Sequence, residues 1–130
     1  RYQDRFIAVA KEYQDKGFGF IAVSANDPAA YPQDNLKNMR KRAQEKGYPF
    51  PYAFDPGSTL AAAFGATRTP HIFVFDEKDQ LVYIGAIDDN LDPEKVETEY
   101  LKDVLDALLA DEKVPVAKSK AIGCTIKWQK

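Results

Sequence analysis

Phe64-Gly65-Ala66-Thr67-Arg68-Thr69-Pro70-His71-Ile72-Phe73-Val74-Phe75-Asp76, continued through Gln80-Leu81-Val82-Tyr83-Ile84-Gly85, is the stretch on which the fold turns. Two apolar runs, 71–75 and 81–84, flank the polar tetrapeptide Glu77-Lys78-Asp79-Gln80. Both are rich in β-branched and aromatic residues and the connection is short, which predicts an antiparallel hairpin. Pro70 stands just ahead of the first strand, where its missing N–H takes nothing from a ladder. Because only X–Pro bonds make cis cheap, Thr69-Pro70 is the expected site of a cis peptide.

Working outward, the chain alternates helix and strand. Tyr2, Phe6, Val9, Ala10 and Tyr13 recur at helical spacing and predict a first amphipathic helix, closed near Gly17. Phe18-Gly19-Phe20-Ile21-Ala22-Val23-Ser24 is nearly all apolar without alternation, as in a parallel strand covered on both faces. The loop 25–32 follows at a carboxyl strand end, where open α/β sheets keep their sites. A second helix is expected over 33–46, closed by Gly47. Its basic stripe (Lys37, Arg40, Lys41, Arg42, Lys46) reads as a solvated face in preference to an anion site. Residues 48–55 hold a short edge segment between prolines. Asp55 or Ser58 then caps a short helix over 59–64. Beyond the hairpin, Asp88-Asp89-Asn90-Leu91-Asp92 lacks the spacing and the bidentate glutamate of a calcium loop, so its acids are assigned to capping. A last helix, about 98–110 with Thr98 as cap, carries Leu101, Val104, Leu105, Leu108 and Leu109 as its apolar stripe.

Composition narrows the function. Of 130 residues, 45% are hydrophobic and 29% charged, a soluble globular profile that suits one domain over 1–130. No apolar run approaches the roughly 20 residues of a membrane helix. A net charge of −2, with the basic residues dispersed among acids, argues against nucleic acid as a partner. One cysteine permits no internal disulfide, and one histidine distant from it offers no zinc site. Neither metal nor cofactor is expected. Arg1 opens directly into a helical pattern, so the chain is expected to lack its native N-terminal segment.

The run Ala25-Asn26-Asp27-Pro28, then Lys46-Gly47-Tyr48-Pro49-Phe50-Pro51, then Asp55 with Phe64-Gly65-Ala66, then Thr69-Pro70 with Phe73, then Gly85 with Ile87-Asp88-Asp89, and the tail Gly123-Cys124 with Ile126-Lys127-Trp128 resembles the peroxiredoxin-like (redoxin, or AhpC-TSA-like) thioredoxin-family proteins of bacteria. The resemblance covers essentially the whole chain. It implies an α/β, thioredoxin-like three-layer sandwich: a mixed sheet with a C-terminal antiparallel hairpin and flanking helices. It also implies a thiol-disulfide oxidoreductase or peroxiredoxin-like antioxidant domain, acting on a protein thiol or disulfide or on a peroxide and compatible with a homodimer. The principal redox cysteine of such relatives, at the amino end of the first helix where a thiolate is stabilised, would fall before Arg1. The compartment is cytoplasmic by default, periplasmic if a signal segment has been removed.

Three positions follow from the resemblance as substrate-binding candidates. Thr69 and Pro70 are placed beside the active helix, and His71 follows, although a hydrogen-bonded strand histidine is preferred there over a proton shuttle. Cys124 is the one catalytic candidate, either a resolving thiol or a small buried side chain, with the inert reading preferred. The rival to the enzyme is a redox-silent thioredoxin-fold module that binds protein or peptide over Thr69-Pro70. Finally, the implied topology puts a strand between 18–24 and 71–75, so these two segments are not expected to pair directly.

Overall fold

The computed structural model describes residues 2–129. In helix α1 (Gln3–Gln14) Ile7, Val9, Ala10 and Tyr13 are buried, as is Tyr2 just before it, while Phe6, expected on the apolar face, is half-buried. It is followed by β1 (Ala22–Ser24), α2 (Leu36–Lys46), β2 (Tyr52–Phe54), α3 (Thr59–Phe64), β3 (Arg68–Thr69), β4 (Ile72–Phe75), β5 (Leu81–Gly85), α4 (Tyr100–Leu109) and β6 (Cys124–Thr125). This is an α/β chain in which parallel and antiparallel pairings both occur, in three two-stranded sheets. Among the described residues, no helix is long and apolar enough to cross a membrane.

The chain divides into two compact units. One comprises the residues up to Val9 together with Arg68–Thr125. Its centre is the hairpin β4–β5, antiparallel with Ile72 opposite Gly85 and a register shift at Val74/Phe75. Asp76 closes the turn by accepting from the backbone N–H of Lys78 and Gln80. The opposite edge of β5 is covered by the segment around Lys118, which bridges Ile84 in parallel. Tyr83 is wholly buried, donates to the Ala86 carbonyl at 2.6 Å and meets the Ser119 hydroxyl. Burial pushes its own hydroxyl up to about 12. Helix α4 is hung from this hairpin by Leu101 N–H donating to Ile87 O and by the Tyr100 ring lying over Tyr83. Leu101, Val104, Leu105 and Ala107 are buried, whereas Leu108 is half-buried and Leu109 lies outside. The helix begins at Tyr100 with Glu99 as cap residue, and Thr98 instead accepts from Asp89 N–H through its carbonyl.

The other unit comprises Ala10–Thr67 and the tail from Ile126. Here β1 and β2 pair in parallel, Val23 opposite Ala53. Asn35 caps α2 through Asn38 N–H, Met39 is its buried residue, and Gly47 takes the left-handed conformation that ends it. Asp55 rather than Ser58 caps α3, accepting from Leu60 and Ala61 N–H. The expectation of a strand covered on both faces fails at β1: Ile21 is 60% and Val23 39% exposed. Among the described residues β1 also has a hydrogen-bonded strand on one edge only, so it is an edge strand and not an interior one. Among the described residues, β1 and β4 fall in different sheets.

Candidate functional site

The site candidates sit where α3 gives way to the hairpin. The helix ends at Gly65, Ala66 is buried, and two residues later the chain forms β3, which leads into a cis Thr69–Pro70 peptide. The chain then enters β4, whose Ile72 and Val74 point into the core. Strand β3 is too short to hold itself. Its partner is β6, antiparallel with Arg68 opposite Thr125 and Thr69 opposite Cys124.

Three of the four sequence-derived candidates are thus brought to one place. Thr69 is exposed, Pro70 follows it, and Cys124 lies across the ladder from Thr69. Cys124 is a free, exposed thiol, which corrects its reading as a small buried side chain. The tail can lie this close because Gly123 has φ +149° and no side chain: a Cβ there would overlap the Thr69 carbonyl and reach within 3.2 Å of Pro70 Cδ.

His71 is turned to a different task. Its ring stacks on Phe73 at 5.0 Å and is half-buried. Burial lowers its pKa below 6.5, so the ring is neutral at pH 7. A histidine depressed in the folded state contributes stability above pH 6.5, and that contribution falls as pH drops through the folded pKa. An NMR titration of the single histidine should therefore give a midpoint below 6.5 in the native chain. A midpoint at or above that value would mean the ring is solvated or paired with a carboxylate.

Sequence reasoning missed the residues that fasten the tail. Lys127 exchanges backbone bonds with the loop after β1, donating to Asn26 Oδ1 at 2.8 Å and accepting from Asp27 N–H at 2.7 Å. The Gln129 side chain donates to the carbonyls of Ala25 and Asp55 and accepts from Gly57 N–H, while its backbone N–H donates to Ser58 Oγ. These pairs join residues up to 104 positions apart and leave no periodic trace in the sequence.

A second polar cluster was also missed. Arg5 donates to both Asp88 carboxylate oxygens, at 3.0 and 2.8 Å, and to the carbonyls of Asn90 and Leu91. Its guanidinium lies 4.4 Å from the Tyr2 ring centroid. The Tyr2 hydroxyl is buried with no partner in hydrogen-bond geometry, and burial followed by the Asp88 charge raises its pKa. A cavity of about 160 Å³ adjoins the pair, lined by Ala8, Val9, Ile87, Glu99 and Lys102. Every acceptor that Arg5 meets is a structural one, so the cluster is a clasp between α1 and the turn after β5. The remaining acids of that turn cap backbone as expected, Asp89 for Glu97 and Asp92 for Glu94, and the Asn90 amide oxygen accepts from Asp92 N–H. Among the described residues no group of three or more histidine, cysteine or acidic side chains could hold a metal.

A chain of mixed helices and strands, with a short strand and a proline leading into an antiparallel hairpin, belongs to the thioredoxin-like class. The Redoxin family model matches residues 3–102, and the chain belongs to that family. The matched region stops short of the tail that carries Cys124. A crystal structure of an uncharacterized conserved protein from Geobacillus kaustophilus superposes with a TM-score of 0.92 at 39% identity, over 98% of this chain and 69% of that one. A hypothetical protein from Sinorhizobium meliloti 1021 does so with a TM-score of 0.90 at 32% identity, over 98% and 71% respectively. No curated protein matches the chain.

Proposed function

We propose that this redoxin-family chain serves a thiol-dependent, peroxiredoxin-like oxidoreductase, in which Cys124 is an auxiliary thiol held at the Thr69-Pro70 loop. The observation that carries this reading is the register of β3 with β6. Of all positions the lone cysteine could occupy, it stands opposite Thr69, one residue from the cis-proline, and it is exposed. A thiol kept merely for packing would be covered. Membership of the Redoxin family supports the same chemistry.

The test uses the chain as it stands. In the native state one thiol per chain should form a mixed disulfide with an aromatic disulfide reagent. Peroxide consumption should stop at one equivalent, with Cys124 oxidised to sulfenic acid and water released, and exchange with insulin should stop at one mixed disulfide and one released insulin thiol per chain, because neither product has an internal thiol to discharge it. Sustained turnover would make Cys124 itself the catalyst and overturn the auxiliary role. Reaction only after unfolding would favour a redox-silent module that binds protein or peptide.

A further inference from the structure

We infer that the tail segment Gly123-Cys124-Thr125 is a built-in occupant of the strand edge at Thr69, and that it excludes extended polypeptides from that edge and restricts the site to compact small molecules. The inference rests on the oxidoreductase reading only in taking the Thr69-Pro70 loop as the place of substrate approach.

The argument is one of backbone pairing. Ile126 N–H donates to Thr67 O at 3.1 Å, which marks Thr67 and Ile126 as a hydrogen-bonded pair. Bonded and non-bonded pairs alternate along an antiparallel ladder. Arg68 with Thr125 is therefore the non-bonded pair, and Thr69 with Cys124 is bonded again. Both main-chain polar groups of Thr69 are thus directed at Cys124. An extended peptide gains its affinity for a sheet edge by pairing with such groups, and at Thr69 they are taken.

The occupant is also fitted and tethered. Gly123 lies against the Thr69 carbonyl at a separation no other residue permits. Beyond Thr125 the same segment is fastened by Lys127 and Gln129. A tethered strand competes at an effective concentration in the millimolar range, far above that of a free peptide. What stays open is the exposed side of Thr69 and the Cys124 thiol, enough for a compact molecule and too little for a strand.

The probe is a fluorescent synthetic peptide of residues 121–129 carrying Cys124→Ser, so that no disulfide can form. It is titrated against the full chain and against Gly123→Val, whose side chain forces the tail off β3. Gln129→Ala loosens the tail from its far anchor without touching β3 and serves if Gly123→Val fails to fold. Hydrogen exchange at the Thr69 amide reports release, and circular dichroism reports the fold.

The expected result is a protected Thr69 amide and only weak peptide binding in the wild-type chain. In a released variant the amide should exchange freely and the peptide should bind roughly a hundredfold more tightly. Equal binding by wild type and variants would overturn the inference, as would a Thr69 amide that exchanges freely in the wild type or stays protected in Gly123→Val. Release without peptide binding would overturn it too, since the edge would then not be a strand acceptor. None of these readouts involves a thiol reaction, so failure of the oxidoreductase reading would show in the Cys124 assays and leave these results standing.

Discussion

Replacing Arg5 with alanine should destabilise the native chain by about 3–5 kcal/mol, read as a lowered urea midpoint at unchanged m value. The Arg5 side chain is 15% exposed and that of Asp88 is 6% exposed, so this is a buried ion pair and not a surface one. Removing the guanidinium leaves the Asp88 carboxylate with one weak donor, Asn90 N–H at 3.2 Å, and strips the Asn90 and Leu91 carbonyls of theirs. A lone buried charge is what makes such truncations costly. The adjoining cavity of about 160 Å³ admits water to the orphaned carboxylate, which places the cost near the lower end of the range. Arg5→Met combined with Asp88→Leu should recover much of the loss, because the penalty lies in desolvating an unpaired ion and not in losing an attraction. A cost for Arg5→Ala within about 0.5 kcal/mol, the range of surface substitutions, would show that the clasp is solvated in solution.

How far such features can be read from sequence depends on whether their causes are local. The hairpin was legible because composition and a turn within one short stretch determine it, down to Asp76 closing the loop. The helices were legible because a repeat of 3.6 survives in a single strand of text. Their edges were less so. In α4, Leu109 lies about 80° around the axis from Leu101, at the margin of the stripe, and emerges into solvent while Ala107 is covered. The apolar run at 18–24 stated what environment that segment needs, and nothing in it could state whether a strand supplies it; Ile21 and Val23 are exposed. The acids after β5 show the same limit. Capping by Asp89 and Asp92 acts over two to eight residues and was anticipated. The Arg5–Asp88 pair spans 83 and was not.

The candidate site divides in the same way. Thr69-Pro70 announces itself, since a proline at a strand entrance restricts its own backbone. That Cys124 stands opposite Thr69 is decided by two-residue strands with no periodicity to detect. The one signal available was Gly123, a glycine next to the lone cysteine, marking a place where another backbone comes close.

Leu105→Ala carries the other large effect, an expected loss of about 2–5 kcal/mol. Leu105 is 2% exposed and shares the buried stripe of α4 with Leu101 and Val104, themselves 2% and 1% exposed; Leu101 N–H and the Tyr100 ring hold this helix to the β5 end of the hairpin. Truncation removes the transfer free energy of the lost methyl groups and opens a void. The helix cannot shift freely to fill it, because its first turn is bound to Ile87 through Leu101 N–H, and this argues for the upper half of the range. Leu109→Ala, on the same helix but 45% exposed, is the matched control and should change stability by no more than about 0.5 kcal/mol. Equal effects at the two positions would mean that the helix is rotated from the orientation described. A small effect at both would mean that α4 is not seated on the hairpin at all.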